Sequence, residues 1–261
     1  MRDRDITKFD MIAIFSLSHQ LKRLATYWRA NLAATENHLI ELLPRKDRLR
    51  LLSLCESVHL VPGKVLCEPD KPTRAVYFPV DGFISLLTLV DGKPALEVGM
   101  VGREGMLGAQ LALGVVTAPL HAFVQGEGVA WRIPTRTFRR ELESSTALQR
   151  GVSRYLYVLM AQLAASTACL RYHLIGPRVA RWLLMSQDRA HCNSLRVTHE
   201  LLACMLGVRR VGITTAAGHL QRRGLIEYHR GDLTVLDRSG LETAACSCYA
   251  ADQQAYAKLL E

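Results

Sequence analysis

Between Thr198 and Arg230 the chain gathers side chains suited to reading and neutralising a polyanion rather than to making bonds. Arg210, Val211, Thr214 and Thr215 stand opposite Ile213, Ala217 and Leu220, which share one face at helical spacing; Arg209, Arg222, Arg223, His229 and Arg230 flank them. An arginine can bond two acceptors on a guanine edge, a threonine or small apolar side chain can meet a thymine methyl, and flanking arginines can hold phosphate oxygens. That is the chemistry of double-stranded DNA recognition. For Arg209 and Arg210 the simpler alternative is a solvated helix start. It loses ground because both precede a basic hairpin in a chain of 261 residues with 33 Lys and Arg against 24 Asp and Glu, a net charge of +9. An anionic membrane surface is the less frequent partner of such an excess.

Other chemistries find less support. Seven cysteines, Cys55, Cys67, Cys169, Cys192, Cys204, Cys246 and Cys248, form an odd set without a Cys-x-x-Cys pair, which argues against a disulfide framework or a tetrahedral zinc knuckle. Cys246 and Cys248 are close, but two ligands one residue apart need partners from elsewhere, and the pair reads as a reduced cap near the C-terminus. No metal and no cofactor are expected. Nor is an enzyme: there is no Gly-x-Ser-x-Gly elbow, no Walker loop and no His-Glu-x-x-His helix, and Gly102-Arg103-Glu104-Gly105 follows a strand without opening a helix.

The elements that must position the basic cluster are legible from caps and glycines. Thr198 is an N-cap opening a short helix through Leu201, Leu202, Met205 and Leu206. Gly207-Val208 makes the turn, and a second helix ends at Gly224, giving a helix-turn-helix. Leu225 to Glu227, a turn at Arg230-Gly231-Asp232 and Leu233 to Leu236 form a wing. Upstream, Ala147 to His173 has no proline and one glycine, so it predicts a single long helix. Leu148, Val152, Tyr155, Leu159, Gln162 and Ser166 step by four and three, the spacing of a coiled-coil seam, and are expected to form a homodimer interface with the polar pair setting register. A second apolar line through Leu156, Leu163 and Leu170 leaves one stripe for the subunit's own core; a helix buried entirely within one subunit is the alternative.

Gly176-Pro177 marks a domain boundary. Between Val58 and Ile133, Pro62-Gly63, Asp81-Gly82, Asp91-Gly92 and Gly126-Glu127-Gly128 break short apolar runs, which predicts an all-β sandwich or roll with strands over 75–80, 83–90, 95–101 and 122–133. Short helices are expected after Asn37 and from Asp47 to Cys55. Ile14, Leu17, Leu21, Leu24 and Trp28 give residues 1–33 a loose helical pattern without chemistry. Met11 to Leu17 is too short to span a bilayer and precedes no small-residue cleavage site, so neither anchor nor signal peptide is expected and the cytoplasm is the default location. The resulting division is an extension (1–33), a β-rich sensor (34–143), a dimerisation helix (144–174) and a DNA-binding domain (175–261).

In order and motif, residues 36 to 248 resemble the Crp/Fnr family of transcription regulators, through the run from Glu97 to Gly108 and the strings Tyr77-Phe78-Pro79 and Leu236-Asp237-Arg238-Ser239-Gly240-Leu241-Glu242. The resemblance implies an α+β fold: a cyclic-nucleotide-binding-like β-roll, a long dimerisation helix and a C-terminal winged helix-turn-helix. It implies that Thr198 and His199 touch phosphate and that Arg210 reads a guanine, and it implies homodimers, two-fold operators and contact with RNA polymerase. Val211 and Thr215 fall where the family's cyclic-AMP-binding members have a glutamate and a second arginine, so a different operator is expected. Gly105 and Gly108 match the family's phosphate-binding segment, but Met106 replaces the ribose-binding glutamate and Ala118 the phosphate-pairing arginine. Arg103, beside Glu104, is a displaced substitute. The N-terminal cysteine cluster of the family's iron-sulfur branch is missing, and haem through His59, His121 or Cys67 is the minor alternative. The expected effector is therefore an unknown small molecule and not cyclic AMP. The alternative is constitutive DNA binding, with the roll serving as a protein-interaction or redox module.

Overall fold

The computed structural model describes residues 37–90 and 95–260. The helical pattern read over residues 1–33 and the turn at Asp91-Gly92 lie outside the described residues. Two short helices, α1 (His38–Glu41) and α2 (Arg45–Ser53), lead into the β domain. Asn37 caps the first through its side chain and also donates to the carbonyls of Pro79 and Gly105, which pins the entry to the sensor.

The β domain is two antiparallel sheets. One orders β1 (Glu56–Leu60), β7 (Gly128–Pro134) and β3 (Ala75–Pro79); the other orders β2 (Val65–Cys67), β6 (His121–Gly126), β4 (Phe83–Thr88) and β5 (Leu96–Val101). The single strand expected over 122–133 is split, because at Glu127 the chain crosses from one sheet to the other. A side chain at Gly126 would meet the Phe83 ring at 2.4 Å and one at Gly128 the Asp81 carbonyl at 2.3 Å, so the crossing demands glycine on both sides. Strand β4 is buried on both faces: Ile84 and Leu86 face the roll interior, while Phe83 and Leu87 pack with the DNA-binding half.

Helix α3 (Thr135–Ser144) returns the chain to α4 (Thr146–Tyr172), whose N-cap Ser145 accepts the Leu148 N–H. The seam expected on α4 faces the wrong way for a partner. Leu148, Val152, Tyr155, Gln162 and Ser166 are buried, and Leu159 packs half-buried against the roll. The same four-three spacing serves an intramolecular face here, and its polar member is satisfied internally: Gln162 Oε1 accepts the Met100 N–H at 2.9 Å and its amide donates to Tyr256 Oη at 2.8 Å. The exposed side of α4 carries Tyr157 and Met160, 62% and 64% exposed.

Helix α5 (Ile175–Ala190) is the core of the C-terminal half, with α6 (His199–Leu206), α7 (Arg210–Arg222) and α8 (Arg238–Ala244) around it and a three-stranded sheet of β8 (Ser194–Arg196), β10 (Asp232–Val235) and β9 (Ile226–His229). Helix α9 (Cys248–Leu260) turns back and packs along α4. Among the described residues no single helix is long and apolar enough to cross a membrane. The pair that passes together on length and composition is α6 with α7, bent by 110°.

Candidate nucleic-acid interface

Helix α6 starts where Thr198 Oγ1 accepts the Leu201 N–H at 3.1 Å and ends at Gly207, whose φ of +60° suits the turn. Ile213, Ala216, Ala217 and Leu220 bury one face of α7. The opposite face leaves Arg210, Val211, Thr214 and Thr215 exposed, as the sequence spacing requires. Val211 is 76% exposed, an apolar group that contributes nothing to this subunit's core. Thr214 and Thr215 donate their hydroxyls to carbonyls one turn back, at 3.2 and 3.0 Å. His199 stacks on Tyr228, ring centroids 4.5 Å apart, and its Nδ1 lies 3.0 Å from Thr214 Oγ1. Burial first, and then the Arg210 charge, hold its pKa below the usual imidazole value.

Behind this helix the wing turns at Arg230 and Gly231, both at positive φ (50° and 96°), the geometry that a two-residue hairpin needs. Thr198, Arg209, Arg222, Arg223 and Arg230 are all exposed. The sequence-derived set therefore comes together on one winged helix-turn-helix.

The junction that joins this unit to the sensor was not legible beforehand. Glu97 on β5 accepts from Ser85 Oγ at 2.5 Å and from Trp182 Nε1 on α5 at 2.8 Å. Burial pushes its carboxyl up to about 7, against the pull of those two bonds and of the Arg189 and Arg181 charges. Close by, Glu104 pairs with Arg189 at 2.8 Å, the arginine side chain being 6% exposed. Cys204 on α6 donates to the Ala95 carbonyl at 3.2 Å. The signal available in the sequence was slight: a carboxylate inside an apolar run, and an indole N–H that needs an acceptor when buried.

The residues expected to bind an effector divide. Met106, Gly108 and Ala118 line one cavity of about 420 Å³ between the roll and α4, with Leu86, Leu120 and Leu163 among its walls. Among the described residues no charged side chain lines it. Arg103 and Glu104 lie elsewhere, the first paired with Glu41 at 2.8 Å and the second with Arg189, so Arg103 is corrected as a substitute phosphate ligand. Gly105 lies against the Tyr155 ring, where a Cβ would come within 2.1 Å. Among the described residues the cavity lining offers no cation to pair with the phosphate of a cyclic nucleotide. Helix α4 also brings Cys169 and His173 close to Cys246 and Cys248, neighbours that the sequence does not reveal.

Residues 57–145 match the cyclic nucleotide-binding domain and residues 177–244 the Crp-like helix-turn-helix domain. No curated protein sequence matches the chain. Solved structures share the fold: FixK2 from Bradyrhizobium japonicum (13% identity, 74% of this chain and 98% of that one, TM-score 0.62), a Crp/Fnr-family regulator from Thermus thermophilus (23%, 73% and 98%, 0.60) and one from Eubacterium rectale (19%, 77% and 94%, 0.60). With a cyclic nucleotide-binding domain joined by a long helix to a Crp-like helix-turn-helix, the chain belongs to the Crp/Fnr family of DNA-binding transcription regulators, which are not enzymes.

Proposed function

We propose that the protein is a cytoplasmic homodimer that binds two-fold operators through α7, contacts RNA polymerase, and answers to an uncharged, largely apolar small molecule rather than to cyclic AMP. The observation that carries the DNA-reading role is the exposed face Arg210, Val211, Thr214 and Thr215 on a helix anchored by its opposite side. In this reading Thr198 and His199, at the start of α6, touch a phosphate, and the exposed Arg209, Arg222, Arg223 and Arg230 supply sequence-independent contacts.

Arg210→Ala is expected to weaken operator binding by about 1 to 3 kcal/mol and to relax preference at one base pair per half-site, while Arg222→Ala weakens all sequences about equally and lowers the salt slope. Competition binding on operator and random DNA at several salt concentrations checks both. Equal losses on the two DNAs for Arg210→Ala overturn its assignment.

The effector reading rests on the apolar cavity. Calorimetric titration with cyclic AMP or cyclic GMP is expected to give no heat of binding. Apolar ligands that enter the cavity should raise the melting temperature, because they bind the native state alone. Micromolar cyclic AMP binding would contradict the reading.

A further inference from the structure

Cys169 in the last turn of α4 and His173 at its C-cap are four residues apart, and the chain from the end of α8 to the start of α9 places Cys246 and Cys248 against them. Cys169 Sγ lies 3.5 Å from Cys246 Sγ, and Cys248 Sγ lies 3.6 Å from His173 Nδ1. One ligand atom from each of the four residues falls within 4.8 Å of all the others.

From these positions we propose that Cys169, His173, Cys246 and Cys248 form a Cys3His site for one structural zinc ion, clamping the end of the long helix to the segment that follows the DNA-binding domain. Metal–sulfur bonds of about 2.3 Å and a metal–nitrogen bond of about 2.0 to 2.1 Å in a tetrahedron put neighbouring ligand atoms about 3.5 to 3.8 Å apart. The Cys169–Cys246 and Cys248–His173 pairs have that spacing, and the remaining pairs lie within 4.8 Å, so a small inward movement closes the tetrahedron. A disulfide needs its sulfurs at about 2.05 Å, so the Cys169–Cys246 pair would have to move to form one. Three soft thiolates and an imidazole select zinc over the hard cations, and four protein ligands leave no open position for catalysis.

The surroundings suit the charge of such a centre. Zinc with three thiolates and a neutral imidazole carries one net negative charge, and Arg181, buried against Asp252 at 2.6 Å, and Arg178 stand on the adjoining helix α5. Their charges act on the cysteines.

The place of the site gives it a consequence. His173 is the C-cap of α4, two residues before α5 begins, and the Cys246 N–H donates to the Pro177 carbonyl in the first turn of α5. A metal there ties the long helix, the start of the DNA-binding unit and the chain that leaves it, so it sets the angle at which α7 is presented. Removing the metal with a chelator would release that tie.

The test uses the full chain, purified under reducing conditions. About one equivalent of zinc per chain is expected, and replacement with cobalt should give the intense visible bands of a tetrahedral thiolate site. Cys246→Ser/Cys248→Ser, and separately His173→Gln, should lose or weaken that spectrum, while Cys192→Ser, an exposed cysteine outside the cluster, keeps it. If the double variant does not fold, zinc titration of metal-stripped wild type followed by circular dichroism and melting temperature decides the matter, since a native-state ligand must raise the melting temperature. A folded chain without metal and without a cobalt spectrum overturns the proposal. A Cys169–Cys246 disulfide in its place, or an iron-sulfur chromophore, also does so.

Discussion

Met160→Glu should yield monomers. On the exposed side of α4, Ser153, Tyr157, Met160, Ala164 and Thr167 repeat the four-three step, two positions away from the line that enters the subunit's own core. In a two-fold pair of parallel helices each seam residue faces its own copy, so the substitution sets two carboxylates against each other in a desolvated seam. Burying a charge without a partner costs several kcal/mol, and a loss of about 4 kcal/mol raises the dimer dissociation constant on the order of a thousandfold. Sedimentation velocity reads the change directly. Footprints should lose their two-fold symmetry as well, because a dimer sets its half-sites about 34 Å apart. Leu159→Glu is the contrasting variant: it lies against the roll, so it should lower the melting temperature of the subunit. An unchanged dimer for Met160→Glu would refute this seam.

Stability should fall between about pH 5 and pH 7.5 by up to about 3 kcal/mol on account of Glu97 alone, the linkage value for a carboxyl raised from 4.5 to about 7 in the folded protein. The native state then holds more protons than the unfolded chain across that window. The contribution is fully present below the unfolded pKa and is lost as pH rises through 7. Above that range an ionised Glu97 stands between Ser85 and Trp182, with Arg181 and Arg189 as the facing cations. Glu97→Gln keeps an acceptor for the Trp182 indole and removes the titration. Urea unfolding of both proteins across the window gives the difference, in which the histidines cancel. A difference that does not change with pH sinks the assignment.

The DNA-binding unit was legible in the sequence because its determinants are local. Thr198 caps a helix, Gly207 and Gly224 end helices, Arg230-Gly231 turns a hairpin, and Ile213, Ala217 and Leu220 bury one face of α7; each signal acts within a few residues. The long helix and the β domain were legible for the same reason. Three things were decided by tertiary structure. A four-three step occurs on more than one line of a long helix, and only the roll and α9 determine which line is covered, so Tyr155 and Gln162 went inward and Met160 outward. The split at Glu127 depends on the Asp81-Gly82 turn pressing on its flanking glycines. Pairs that meet across long separations, Glu97 with Trp182 and Cys169 with Cys246, leave no periodic trace in sequence, because their partners are chosen by how whole elements pack and not by the residues beside them.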